Sequence, residues 1–145
     1  MEGNLYLAIL TNEELNGGFK FLRINYIQEY KTLTIEYNDT ATILKAYEFL
    51  KEFQTPFAWF DSDYKQVKIS ITEYAKEFFK LKKHLPSQAY KELPDSTAQL
   101  TYYVTNYMEI ALLVKKWFPH LRIIEPIEWN ERFKSEIKQY LESDK

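Results

Sequence analysis

The chain has 145 residues, 46% of them apolar and 17% aromatic, with three glycines, no cysteine and a formal net charge of −2. That length carries one domain, or one and a fraction, and buries roughly 68–70% of its extended surface, so a core forms without staples. The missing cysteine excludes a disulfide framework, a thiol nucleophile and a zinc finger, and the 127 residues after Gly18 hold no glycine, which excludes a Walker-type loop or a G-x-G-x-x-G turn there.

Leu5 to Leu10 is a short apolar run and Phe19 to Ile24 another, separated by the polar stretch Thr11 to Gly18. This pattern predicts a β-hairpin. Tyr30 to Tyr37 alternates Leu33 and Ile35 against Thr32, Thr34 and Glu36, which predicts a third strand and so a β-meander. From Thr40 the period changes. Ile43, Ala46, Tyr47, Leu50 and Phe53 fall on one face of an α-helix, with Asn38, Asp39 or Thr40 as its cap and Pro56 marking its end. Phe57 to Asp63 then forms a connector.

Charge changes at this joint. Residues 1–63 hold 5 basic and 10 acidic side chains, net −5, whereas residues 64–145 hold 14 basic and 11 acidic, net +3. Two structural units are expected.

In the second unit Val67, Ile69 and Ile71 alternate as a strand, and Tyr74, Phe78 and Leu81 follow at helical spacing. His84 to Leu93 reads as extended. Leu93 to Ser96 is a turn, because proline presets φ and Asp95 can bond its own backbone. Ala98, Leu100, Tyr102 and Val104 alternate as the next strand. Tyr107, Ile110, Ala111, Val114 and Trp117 mark a helix, and Leu121 to Glu125 a short strand. Trp129, Phe133, Ile137 and Tyr140 mark a terminal helix, with Pro126 near its start, where the missing N–H is harmless. Residues 64–125 therefore read β-α-β-β-α-β, the ferredoxin-like order, with one extra helix. The expected fold class is α+β, with Tyr102, Tyr103, Tyr107, Trp117 and Trp129 mostly in the core.

Signals for catalysis are thin. His84 and His120 stand in no metal-binding spacing, no nucleophile elbow is present, and Glu13-Glu14 and Asp61/Asp63 lie in predicted loops. No metal, no cofactor and no enzymatic activity is expected. Lys76, Lys80, Lys82, Lys83 and His84 cluster at a predicted helix C-terminus, where cations are favourable in any case; phosphate contact is the other reading. Lys20 and Arg23, flanked by Phe19, Phe21 and Tyr26, could stack a base and hold a phosphate. On a strand, Lys20, Leu22 and Ile24 share one face, and Phe21 and Arg23 the other. The first residues carry no basic region followed by an apolar stretch, and no run of about 18 apolar residues exists. A cytoplasmic location is expected.

Two stretches carry a family resemblance. Leu5-Tyr6-Leu7-Ala8-Ile9-Leu10, then Lys20-Phe21-Leu22-Arg23-Ile24-Asn25-Tyr26-Ile27, resembles the hallmark of the WYL domain: Trp-Tyr-Leu on one strand, then Arg-x-Phe-Arg-Leu-Asp-Arg-Ile on the next. His84-Leu85-Pro86-Ser87-Gln88, and Trp117-Phe118-Pro119-His120-Leu121-Arg122-Ile123-Ile124-Glu125-Pro126 with the helix after it, resemble that domain's C-terminal extension, called WCX. The resemblance implies the C-terminal region of a bacterial helix-turn-helix transcriptional regulator, without its DNA-binding domain. Residues 1–37 would be the C-terminal part of an Sm-like β-barrel, residues 38–63 a helix and connector, and residues 64–145 the WCX-like unit.

The implied role is ligand sensing and dimerisation, as a homodimer that reaches DNA through an absent N-terminal helix-turn-helix. The effector would be a nucleotide or oligonucleotide, and the ligand-binding residues Tyr6, Lys20, Arg23 and Tyr26. Tyr6, Leu7, Arg23 and Ile27 match the family pattern, while Leu5, Lys20 and Tyr26 replace its Trp and two of its Arg residues. Losing two guanidiniums removes bidentate phosphate grips that lysine and tyrosine do not reproduce. A dimerisation scaffold that senses nothing is the competing expectation.

Overall fold

A computed structural model describes residues 5–10, 19–34, 40–59 and 62–143. The predicted hairpin loop over residues 11–18, the caps Asn38 and Asp39, and Asp61 of the connector lie outside them. The chain is α+β, and its described residues form two antiparallel sheets and four α-helices. It divides into two compact units, 1–62 and 63–145.

In the first unit β1 (Tyr6–Leu10) pairs antiparallel with β2 (Phe19–Arg23), Tyr6 facing Arg23, Ala8 facing Phe21 and Ile9 facing Lys20. A short 3-10 turn, Ile24–Tyr26, follows directly, and the Ile24 amide donates to the Leu5 carbonyl at 3.0 Å. Helix α1 (Thr40–Glu52) covers the face that carries Ala8 and Phe21.

Two expectations change here. Residues 30–34 form no strand. Tyr30 is 87% exposed and Leu33 62%, so the alternating apolar side chains of residues 30–34 are not buried; residues 35–37 of the predicted strand are not described. The inward face of α1 is also rotated from the predicted one. Ala46 is buried and Phe49 packs beside it, while Tyr47 and Leu50 are exposed. Ala46 and Phe53 keep their predicted inward place, Phe53 stacking on Phe21 with 4.6 Å between ring centroids. The helix stops at Glu52, four residues before Pro56.

The second unit runs β3 (Lys65–Ile71), α2 (Glu73–Leu81), β4 (Ala89–Glu92), β5 (Ala98–Val104), α3 (Tyr107–Lys116), β6 (Leu121–Glu125) and α4 (Ile127–Glu142). Its sheet has the order β4-β5-β3-β6, every neighbouring pair antiparallel. Period-2 alternation decides the faces. Val67, Ile69, Ile71, Leu100, Tyr102, Val104, Leu121 and Ile123 are buried on one side, and Gln66, Lys68, Thr101, Tyr103 and Arg122 alternate with them on the other. Tyr103 therefore leaves the predicted core; it is exposed and accepts a hydrogen bond from the Gln66 amide at 2.7 Å.

Each helix contributes a stripe to this core: Ala75 and Phe79 from α2, Ile110, Ala111 and Val114 from α3, Trp129 and Phe133 from α4. On α2 the predicted apolar face turns outward instead. Tyr74, Phe78 and Leu81 are exposed while Ala75 and Phe79 are buried, because the buried stripe needs only one small and one large side chain beneath the helix.

Local chemistry sets the boundaries. Asn106 caps α3, its side chain accepting from the Met108 amide at 2.9 Å. Glu109, in the first turn, accepts from the amide and the hydroxyl of Thr105 at 2.8 and 2.7 Å, a capping-box arrangement moved back by one residue. Pro126 is the N-cap of α4. In the β4–β5 turn the Asp95 carboxylate accepts from the hydroxyl and amide of Thr97, bonds that hold it below the usual carboxylate range, while Ser96 adopts φ 65°.

Candidate functional site

The register of β1 and β2 determines which motif residues meet. Tyr6 and Arg23 are directly paired, so their side chains lie next to each other on one face. The 3-10 turn that follows β2 carries Tyr26 back over Arg23. The guanidinium Nη1 donates to the Tyr26 hydroxyl at 3.1 Å and its carbon lies 5.5 Å from the ring centroid. The Tyr26 and Tyr6 hydroxyls both favour the charged form and raise the pKa of Arg23 still further.

These three residues line an open cavity of about 610 Å³. Phe21 and Ile27 supply apolar walls, and Gln28 and Glu29 supply the polar end. The size falls in the range of small-molecule sites, roughly 300–1,000 Å³. Arg23 offers a planar fork of five N–H donors, which interacts with the Tyr26 and Tyr6 hydroxyls. The arrangement can therefore hold one anionic group against the guanidinium while a flat ring lies among aromatic walls.

Lys20 does not join it. An odd separation on a strand places Lys20 on the opposite face from Arg23, and Lys20 is absent from the cavity lining. Of the four nominated residues, the structure brings together Tyr6, Arg23 and Tyr26 and leaves Lys20 out. Gln28 and Glu29 were not nominated, since they follow the motif in a stretch with no periodicity and only their position after the turn brings them to the cavity.

The basic cluster in the second unit also separates. Lys76 reaches Glu92 at 3.5 Å and the Ser96 carbonyl at 3.3 Å, and Lys80 lies 3.7 Å from the same carboxylate. Lys82 and Lys83 stay exposed beyond the end of α2. His84 turns inward, its ring 4.3 Å from that of Phe79 and 5.6 Å from that of Trp117. Burial, then the ammonium groups of Lys82 and Lys116, push its pKa down. Beside it an aromatic surface runs from His120 to Tyr74 (4.5 Å) and from Phe78 to Trp117 (5.3 Å). The predicted helix face contained Tyr74 and Phe78, but apolar spacing alone does not say which side of a helix meets water.

Among the described residues no group of three or more His, Asp or Glu side chains is arranged to hold a metal ion, and no helix is long and apolar enough to cross a membrane. The pair Asp61/Asp63 is not tested, since Asp61 is not described. No protein-family model matches the chain, and no curated protein matches it.

Proposed function

We propose that the chain is a ligand-sensing module of a WYL-type transcriptional regulator, acting by binding and not by catalysis. The observation that supports this most is the convergence of Tyr6, Arg23 and Tyr26 on one cavity, three residues of the two-strand motif that resembles the family hallmark. The element order β-α-β-β-α-β with the strand order β4-β5-β3-β6 supports reading the second half as a ferredoxin-like, WCX-like unit. The first unit would correspond to part of an Sm-like barrel.

In this reading an effector in the Arg23 cavity binds two conformations of the regulator with different affinity and so shifts their populations. A helix-turn-helix would carry the response to DNA, and a homodimer would present two such domains to a two-fold operator. Replacing Arg23 by Ala should abolish binding of whichever of adenosine monophosphate and tryptophan the unaltered chain binds, measured by titration calorimetry, with an unchanged circular dichroism spectrum. Unaltered binding in Arg23→Ala would remove the site assignment.

One observation favours a second reading, a dimerisation scaffold. Tyr74, Phe78, Leu81 and Phe118 are 68%, 51%, 84% and 56% exposed on the second unit, and clustered apolar exposure marks interaction surfaces. A scaffold predicts a dimer on sizing chromatography and no thermal shift with nucleotides.

A further inference from the structure

We infer that the Arg23 cavity takes a small aromatic ligand bearing one anionic group, and not a polyphosphate or a nucleic-acid strand. The inference rests on the ligand-sensing reading above and narrows it to a ligand class.

The first argument is the count of cations. Lys20 is not in the cavity lining, and among the described residues Arg23 is the one basic residue that is. Its fork fits a single carboxylate or phosphate bidentately. A strand of nucleic acid needs a track of positive charge along its backbone, and among the described residues no second cation lines this cavity to begin one.

The second argument is Glu29. Glu29 belongs to the same lining as Arg23, so an acidic residue borders the space that the second and third phosphates of a polyphosphate would need, a like charge that disfavours them. A ligand with a single anionic group can keep that group on Arg23 and turn a donor toward Glu29 and Gln28. An exocyclic amine on a ring or an ammonium group would serve.

The third argument is the walls. Tyr6, Phe21 and Tyr26 are all in the lining, Phe21 with one ring face already stacked on Phe53, and stacking on aromatic surface accepts any flat ring. Tyr26 is already held by Arg23 at 3.1 Å, so one wall is positioned before the ligand arrives. Preorganisation of that kind lowers the cost of binding. Flat ring, one anion and one N–H donor is a chemistry shared by nucleoside monophosphates and aromatic amino acids, and the experiment separates the two.

Titration calorimetry on the full chain, with adenosine monophosphate, tryptophan, adenosine triphosphate and a ten-residue oligothymidylate as probes, tests the assignment. The monophosphate or tryptophan should bind at least as tightly as the other two probes, and which of them binds identifies the source of the ring and anion. Its affinity should fall about tenfold or more in Arg23→Lys, which keeps the charge and loses the fork. Lys20→Gln should leave it unchanged within about twofold, while Glu29→Gln should improve triphosphate binding relative to monophosphate. Triphosphate or oligothymidylate binding more than tenfold tighter than both small probes overturns the ligand class while leaving a sensing site in place. A loss of affinity in Lys20→Gln overturns it too. No heat with any of the four probes overturns the sensing reading itself, and this inference with it.

Discussion

The Tyr102 hydroxyl donates to the side-chain carbonyl of Gln88 at 3.0 Å, inside the core of the second unit. The same carbonyl accepts from the His84 amide at 2.9 Å, and the Gln88 amide donates to the Phe79 carbonyl at 2.8 Å. One buried side chain thus closes the end of α2, whose last carbonyls have no helical partner, and satisfies the phenol of the largest fully buried residue. Burial pushes the Tyr102 phenol well above its ordinary pKa.

Gln88→Ala should therefore destabilise the second unit by about 1–3 kcal/mol, the range for leaving buried polar groups unpaired. Tyr102→Phe removes only a hydroxyl and should cost about 0.5–1.5 kcal/mol. Because the two share a bond, the double variant should cost less than the sum of the single ones. Urea unfolding of the three variants measures this, and strict additivity would show that Gln88 and Tyr102 act independently.

His84 gives a prediction in pH. Its ring is packed between Phe79 and Trp117, and the charges facing it are the ammonium groups of Lys82 and Lys116. Its Nε2 is buried with no hydrogen-bond partner among the described residues. The folded-state pKa is depressed below the ordinary value of 6.5, so the unfolded chain binds the proton more readily. The contribution of His84 is complete above pH 6.5 and is lost as pH falls through the folded pKa. Melting temperature should thus drop between pH 7.5 and pH 5, and His84→Phe should shrink that drop. An equal drop in the variant would assign acid sensitivity to other groups.

How much of this was legible in the sequence depends on how each element is specified. Strands β3 and β5 carried their faces openly, since Val67, Ile69 and Ile71 alternate with polar residues and so do Leu100, Tyr102 and Val104. Tyr103 shows the limit of reading aromatics as core, because the period that buries Tyr102 exposes its neighbour. The predicted face of α2 and the Tyr47 and Leu50 part of the predicted face of α1 turn outward for a common cause. Both α1 and α2 carry more apolar residues than one stripe can bury, and only contact with Phe21 in one unit and with the sheet in the other selects the stripe. Residues 30–34 show alternation but form no strand, and Tyr30 and Leu33 are exposed, because burial against a neighbour is a tertiary condition that no local pattern contains. In the candidate site the alternation already separated Lys20 from Arg23; the family motif, read as a string, put them together. Gln28 and Glu29 became visible only once the turn after β2 had a direction.

The two faces of α2 supply the last test, because adjacent phenylalanines occupy opposite environments. Phe79 is 1% exposed, against the sheet, and Phe78 is 51% exposed beside Tyr74 and Trp117. Phe79→Ala should cost about 3–5 kcal/mol, the loss for a large core side chain and the cavity it leaves. Phe78→Ser removes partly solvated ring contacts and should cost less than about 1.5 kcal/mol. The scaffold reading adds a second readout for the same variant. If the aromatic surface is a dimer contact, Phe78→Ser shifts the chain from dimer to monomer on sizing chromatography while its monomeric fold persists; if the first unit senses a ligand and this surface has no such role, the elution volume stays where it is. A large unfolding penalty in Phe78→Ser, comparable with that in Phe79→Ala, would mean that the exposed ring is structural and would remove the interaction surface from consideration.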